Sequence, residues 1–169
     1  MESEFLFTEK QKFRQWWVWA ILLGINGLCI FGFIKQILFR QQFGDNPMSD
    51  KGLIVFMLFM FLFTFLFSQI GLETQITNKG IAIRFLLFER DYKLFKWSEI
   101  SKCYVRQYRP LMEYGGWGIK FGSRGTAYNV FGNKGIQLEL LDGRNILIGT
   151  NKPEEVQTIL NSIKNNDKI

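Results

Sequence analysis

The sequence predicts an α+β membrane protein. An N-terminal two-helix transmembrane hairpin is followed by an antiparallel β-barrel or sandwich of about seven strands, which a C-terminal α-helix caps. Three observations among the 169 residues indicate this fold class. Two long runs carry no charge, the chain after residue 72 alternates between apolar and polar residues in short stretches, and the last segment has helical periodicity. The mean hydropathy of +0.02 is therefore an average over two unlike halves.

Each uncharged run is long enough to cross a bilayer. Residues 15–34 form a run of 20 and residues 52–72 a run of 21. A helix rises about 1.5 Å per residue, so each run reaches roughly 30 Å, the thickness of the hydrocarbon core. A soluble helix keeps one polar face, and these runs have none. We predict helices over about 15–38 and 52–72, with Ser49 or Asp50 capping the second.

The hairpin places both of its outer ends on one side of the membrane. Six Lys/Arg residues lie near those outer ends and three lie in the connection between the helices. Positive residues favour the cytoplasmic side, so we expect an inner-membrane, multi-pass protein with both termini in the cytoplasm. The predicted division is residues 1–72 for the N-terminal tail and hairpin, and residues 73–169 for a cytoplasmic domain.

Four residues of the first helix are candidates for helix packing. Ala20, Gly24 and Gly27 follow the spacing i, i+4, i+7, which gives a small-residue stripe where another helix can approach closely. Asn26 is the strongly polar side chain at mid-depth. We favour an interhelical hydrogen bond for Asn26 over a conduction or oligomer site, because neither span carries a charge.

The segment before the first span mixes apolar and basic residues. Phenylalanines from Phe5 to Phe13 interleave with Lys10, Lys12 and Arg14. Two interpretations remain open at this point. The segment either lies along the membrane surface as an amphipathic anchor or forms a short helical lead-in to the first span.

The second half of the chain predicts short strands joined by tight turns. Period-two alternation and turn residues such as Asp142-Gly143 place them as follows: 81–85, 92–97, 101–108, 115–121, 126–131, 136–140 and 145–150. Sequential short strands of this kind close into a barrel or pack as a sandwich. After Pro153, apolar residues recur with helical spacing, which predicts a final helix with one buried face: Val156, Ile159, Leu160 and Ile163.

Several sequence pieces in this half resemble the bacterial pleckstrin-homology-like domains that follow transmembrane hairpins. The pieces are T-N-K-G-I (77–81), W-S-E-I-S-K-C-Y-V (97–105), E-Y-G-G-W-G-I (113–119), L-D-G-R-N-I-L-I-G-T (141–150) and P-E-E (153–155). The resemblance covers roughly residues 73–163. It implies a barrel of about seven strands with one capping helix, without catalysis, used for binding or assembly at a membrane.

Six residues form the candidate partner or headgroup surface. Phosphoinositide-binding members of the wider superfamily carry a Lys followed by basic-x-Arg in the first hairpin; here Lys79 and Arg84 are present, but position 82 is alanine. The strand over 101–108 adds an alternating basic and aromatic stripe, for which an ordinary solvated face is the alternative: Lys102, Tyr104, Arg106 and Tyr108. The same alternation makes Cys103 a core thiol.

The composition argues against an enzyme. The chain has no histidine and two cysteines, so the usual imidazole bases and nitrogen ligands are missing, and we predict no catalytic site, cofactor or metal. We predict a membrane-anchored binding or assembly module for a protein partner or anionic lipid headgroups. The alternative is a structural subunit that assembles, including as a homo-oligomer, through its hairpin. Nucleic acid is not expected as a partner.

Overall fold

The protein consists of two compact units, seen in a computed structural model that describes residues 5–122 and 124–166. Residues 14–69 form a helical hairpin. The described residues on either side of it, 5–13 and 70–166, together form a β-sheet domain. The two chain termini, which we expect in the cytoplasm, lie outside the described residues.

The hairpin contains the two long helices that the sequence predicts. Helix α1 (Trp16–Phe33) continues as a π-helical turn (Ile34–Leu38), and α2 spans Asp50–Gln69. Both are long and apolar enough to cross a membrane. Helix α2 ends before the expected residue 72. Its cap is the predicted Ser49, whose Oγ accepts a hydrogen bond 3.2 Å long from the backbone N–H of Gly52.

Most large apolar side chains of these helices point away from the hairpin itself. Leu23 is 61% exposed, Val55 66% and Phe65 61%. The two helices contact each other through particular side chains: the rings of Trp19 and Phe67 meet edge to face at 5.8 Å. Since apolar side chains surround both helices, the hairpin has no polar face to offer to water.

Nine strands occur in the described residues, in two sheets. The first sheet has the order β1-β2-β3-β4 and is antiparallel: β1 (Phe5–Lys12), β2 (Gly71–Thr77), β3 (Gly80–Leu86) and β4 (Lys93–Lys96). The second has the order β5-β8-β9-β7-β6, with β7 and β9 parallel: β5 (Ile100–Gln107), β6 (Gly118–Gly122), β7 (Gly125–Asn129), β8 (Lys134–Leu140) and β9 (Asn145–Gly149). A short helix, α3 (Pro110–Tyr114), follows β5, and α4 (Pro153–Asn166) ends the described chain.

The two sheets share one apolar core, and α4 packs against it. Ile76 and Ile83 from the first sheet and Ile136 and Leu138 from the second are fully buried there. All four residues of the predicted apolar stripe on α4 contact this core. Within the described residues the strands form two separate sheets, so the expectation of a closed barrel is wrong and that of a sandwich fits. A 3₁₀ turn, Trp97–Glu99, carries the chain from one sheet to the other.

The N-terminal segment is a strand, which corrects both interpretations from the sequence. Strand β1 pairs with β2 along its whole length. Its alternate residues Phe7, Glu9 and Gln11 are buried, and those between them are exposed. Two of the three buried residues are polar, so apolar and polar residues do not alternate along the segment. The sequence pattern therefore does not predict a strand here.

Hydrogen bonds join the two buried polar side chains of β1 to the segment that precedes α4. The Glu9 carboxylate accepts bonds from Thr150 Oγ1 at 2.6 Å and from the backbone N–H of Asn151 at 2.9 Å. The side-chain amide of Gln11 donates to the carbonyl of Gly149 at 2.6 Å. Strand β1 therefore holds the segment that enters α4, almost the whole chain length away.

The pairing of β1 with β2 also fixes both ends of the hairpin. Lys12 lies opposite Gly71, so the chain leaves the domain and returns to it at neighbouring positions. A Cβ at Gly71 would lie 2.5 Å from the carbonyl oxygen of Gln11, which explains a glycine at the start of β2. The hairpin is therefore an insertion between two paired strands.

We predict that the sheet domain folds without the hairpin only if β1 is retained. A chain in which an Asn-Gly turn replaces residues 14–69 keeps the β1–β2 pair and should unfold cooperatively. A fragment of residues 70–169 loses the buried Phe7, worth about 2–3 kcal/mol, and the bonds of Glu9 and Gln11. Thermal melts followed by circular dichroism measure the difference. Equal melting temperatures for the two chains would contradict the assignment of β1 to the domain.

Candidate functional site

One end of the first sheet borders an apolar groove. Lys12, Gly71 and Leu86 are paired neighbours across β1, β2 and β3. The chain segments next to these three residues therefore lie together at this end of the first sheet. A groove of about 350 Å³ lies between this end and the edge strand β6. Its lining is apolar except for one lysine: Phe13, Ile70, Phe85, Phe88, Trp117, Gly118, Ile119 and Lys120.

The turn after β3 presents Phe88 at the groove. The backbone N–H groups of Phe88 and Glu89 both donate to the carbonyl of Phe85, and the Glu89 carboxylate accepts from the N–H of Phe85 at 2.9 Å. Leu87 adopts a φ of +79°, a left-handed conformation that costs a non-glycine residue roughly 1–2 kcal/mol. Leu87 and Phe88 are 51% and 64% exposed. Strain and exposed apolar surface therefore coincide at this turn, as they do at many functional sites.

The glycine-rich segment after α3 positions the opposite wall. Gly115, Gly116 and Gly118 all have positive φ, which glycine adopts without strain. Trp117 lies between them and donates from Nε1 to the carbonyl of Gly132 at 3.1 Å. These glycines therefore form a bent segment that fixes one large aromatic side chain at the groove.

Lys120 is the charged group of the groove. In the described sheet domain three cations are half-buried, namely Arg84, Arg106 and Lys120. Both arginines are ion-paired. Lys120 has neither a hydrogen bond nor an ion pair to any residue that the structure describes. It is half-buried beside apolar walls, and no described carboxylate pairs with it.

The predicted basic stripe on β5 is present in part, and its cations are paired. Lys102 contacts Glu139 at 3.1 Å, and Tyr104 donates to the same carboxylate at 3.1 Å. Arg106 contacts Glu113 at 2.9 Å and also donates to Gln137. These three side chains share one face of β5, as expected, but much of their charge is already compensated within the domain.

Tyr108 does not belong to this surface. Its side chain is 2% exposed and its hydroxyl accepts a hydrogen bond from the side-chain amide of Asn129 at 3.1 Å. Burial raises the pKa of Tyr108 to about 12. The strand ends at Gln107, so the alternation that placed Tyr108 outward no longer applies. Cys103 is buried in the core as predicted, and burial raises the pKa of its thiol to about 12.

Lys79 and Arg84 lie in different parts of the first sheet. Lys79 is in the turn before β3, and Arg84 is near the far end of that strand. Arg84 Nε donates to Glu73 at 3.1 Å, and its guanidinium stacks 4.6 Å from the ring centre of Tyr92. The structure therefore does not bring the six predicted surface residues into one site.

Glu73 is the centre of a polar network on the outer face of the first sheet. Besides Arg84, it accepts bonds from Lys10 Nζ at 2.9 Å and from the Tyr92 hydroxyl at 2.8 Å. Burial acts to raise the pKa of Glu73, but the bonds from Lys10, Arg84 and Tyr92 outweigh it and lower the pKa to about 2. Because Lys10, Glu73 and Arg84 face each other across β1, β2 and β3, the network joins the inserted hairpin's two flanking strands.

The four predicted helix-packing residues divide into two groups. Asn26 donates from Nδ2 to Thr64 Oγ1 at 2.8 Å, which is the interhelical hydrogen bond we favoured. Ala20, Gly24 and Gly27 are exposed, and a Cβ at either glycine would meet nothing within 4 Å. The small-residue stripe therefore faces away from α2. Assembly of the protein through this stripe stays a prediction.

The described residues contain no group of three or more His, Cys, Asp or Glu side chains that could hold a metal ion. No protein-family model matches the chain, and no curated protein matches it in sequence.

The network at Glu73 predicts a loss of stability in acid. A carboxylate with a lowered native pKa stabilises the fold above its unfolded pKa of about 4.5, and this contribution disappears as the pH falls toward 2. At pH 7 it amounts to a few kcal/mol at most, since one pKa unit is about 1.4 kcal/mol. In the chain with the Asn-Gly turn, Glu73→Gln should lower the free energy of unfolding at pH 7 and flatten its decline below pH 5.

Urea unfolding at a series of pH values measures this effect, and the exposed Asp91 provides a control as Asp91→Asn. A Glu73→Gln profile parallel to that of the control would show that the network contributes nothing.

Proposed function

We propose that the protein is a non-enzymatic binding module held at the cytoplasmic face of the inner membrane by its helical hairpin, with the apolar groove as its binding site. The hairpin supports membrane insertion through its length and through the exposed apolar side chains around both helices. In water these helices would expose far more contiguous apolar surface than soluble proteins carry.

The observation that carries the proposal is the position of the groove in the chain. Phe13 and Ile70 line the groove. Phe13 is three residues before the start of α1, and Ile70 directly follows the end of α2. Two residues separate Phe13 from α1 and none separates Ile70 from α2, so the chain runs directly from the groove lining into both spans. We therefore propose that a ligand of this groove is met at the membrane surface.

We further propose that the sheet domain has a pleckstrin-homology-like fold. Two packed, mainly antiparallel sheets and a C-terminal helix support this assignment, together with the sequence pieces that resemble this family. The sequence does not predict the additional strand β1 or the parallel pairing of β7 with β9. The proposal predicts recognition of a partner or headgroup, and a fixed position at the membrane raises the effective concentration of the site there.

Site-specific photo-crosslinking in cells tests this function. A benzophenone amino acid placed at the exposed Phe88 should form adducts in membranes with a protein or a lipid, because Phe88 borders the groove. The control is the same amino acid at Leu141, which is 70% exposed in the turn between β8 and β9. Adducts from position 88 and none from position 141 are expected. Equal labelling from both positions, or none from position 88, would contradict a binding site at the groove.

A further inference from the structure

The shape of the groove limits what it can hold. A volume of about 350 Å³ is near the lower end of the range of small-molecule sites, roughly 300–1,000 Å³. Six of its eight lining residues are apolar, four of them aromatic. A flexible hydrocarbon segment fits such walls, because it needs no hydrogen-bond partner.

Lys120 indicates that the ligand of the groove carries a negative charge. Lys120 is half-buried at the groove and has no acidic partner among the residues that the structure describes. Burying a cation without a partner is costly, and an anion that enters the groove removes that cost. The paired arginines at positions 84 and 106 offer no comparable site, since Glu73 and Glu113 already neutralise them.

Exposed apolar residues next to the groove lining in the chain are the third observation. Phe88 lines the groove and is exposed, as is its chain neighbour Leu87; Phe121, which follows Lys120 in the chain, is 81% exposed. Aromatic residues favour the boundary between headgroups and acyl chains. In a domain whose chain runs directly into two apolar spans, lipid is the most abundant apolar molecule.

From these observations, and resting on the function proposed above, we propose that the groove binds one acyl chain of an anionic membrane phospholipid whose headgroup phosphate pairs with Lys120. The chain lies along Phe85, Ile119 and Trp117. A zwitterionic lipid binds more weakly, because its own ammonium group competes with Lys120 for the phosphate.

Native mass spectrometry of the full chain in detergent tests this inference. The probes are phosphatidylglycerol and phosphatidylcholine with identical oleoyl chains. The wild-type protein should prefer phosphatidylglycerol, and Lys120→Gln should weaken that binding about tenfold, the size expected for one charge-assisted hydrogen bond, while weakening phosphatidylcholine less. Glycerol phosphate, which carries the charge without a chain, should not compete.

Two further variants separate a specific site from a general effect of charge or folding. Lys96→Gln removes an exposed cation of the first sheet opposite Gly80, at the end of β3 away from the groove, and should change neither affinity. Phe88→Ser, at an exposed position of the rim, should weaken both lipids. Equal effects of Lys120→Gln and Lys96→Gln, or no effect of either groove variant, would overturn the inference. Protein adducts alone from position 88 would retain the binding module and overturn its lipid ligand.

Discussion

The pairing of β1 with β2 is the constraint on which the rest of the structure depends. These strands are neighbours in the first sheet but are separated in sequence by the whole hairpin, residues 14–69. Closing so long a loop costs conformational entropy, which the ladder, the buried Phe7 and the bonds of Glu9 and Gln11 offset. In return, both ends of the hairpin are held at adjacent positions, and the chain segments that line the groove are brought to one end of the sheet.

The distribution of charge determines which surface is available for binding. The net charge of +6 suggests a broadly basic surface. In the folded domain, however, carboxylates compensate the most prominent candidates: Glu73 holds Arg84 and Lys10, Glu139 holds Lys102, and Glu113 holds Arg106. These ion pairs remove charge that a headgroup would otherwise meet. The half-buried Lys120 therefore matters more to the proposed function than the larger number of cations on the outer faces.

Much of the fold can be predicted from local sequence patterns. The uncharged runs give both helices, period-two alternation gives most strands, and the spacing of Val156 and Leu160 gives α4. Three features cannot be found in this way. Strand β1 buries Glu9 and Gln11, so a search for hydrophobic alternation does not find it. The prediction that Tyr108 points outward is wrong because β5 ends one residue earlier. The groove is assembled from four separated segments, which only the register of the sheets brings together. The sequence signals for the groove are the exposed pair Leu87-Phe88 and the glycines around Trp117, but neither signal predicts that the two segments belong to one site.

A disulfide across the first sheet tests the central pairing most directly. Thr8 lies opposite Gln75 on the outer face. The Cα atoms of directly opposed residues in antiparallel strands are about 4.5–5.5 Å apart, within the Cα–Cα range of a disulfide. In a chain whose two native cysteines are replaced by alanine, Thr8→Cys with Gln75→Cys should form an intramolecular disulfide when native membranes are treated with the oxidant copper phenanthroline. Thr8→Cys with Ala82→Cys, one strand further away, should not. Failure of the first pair to crosslink, or equal crosslinking of both pairs, would contradict the insertion of the hairpin between β1 and β2.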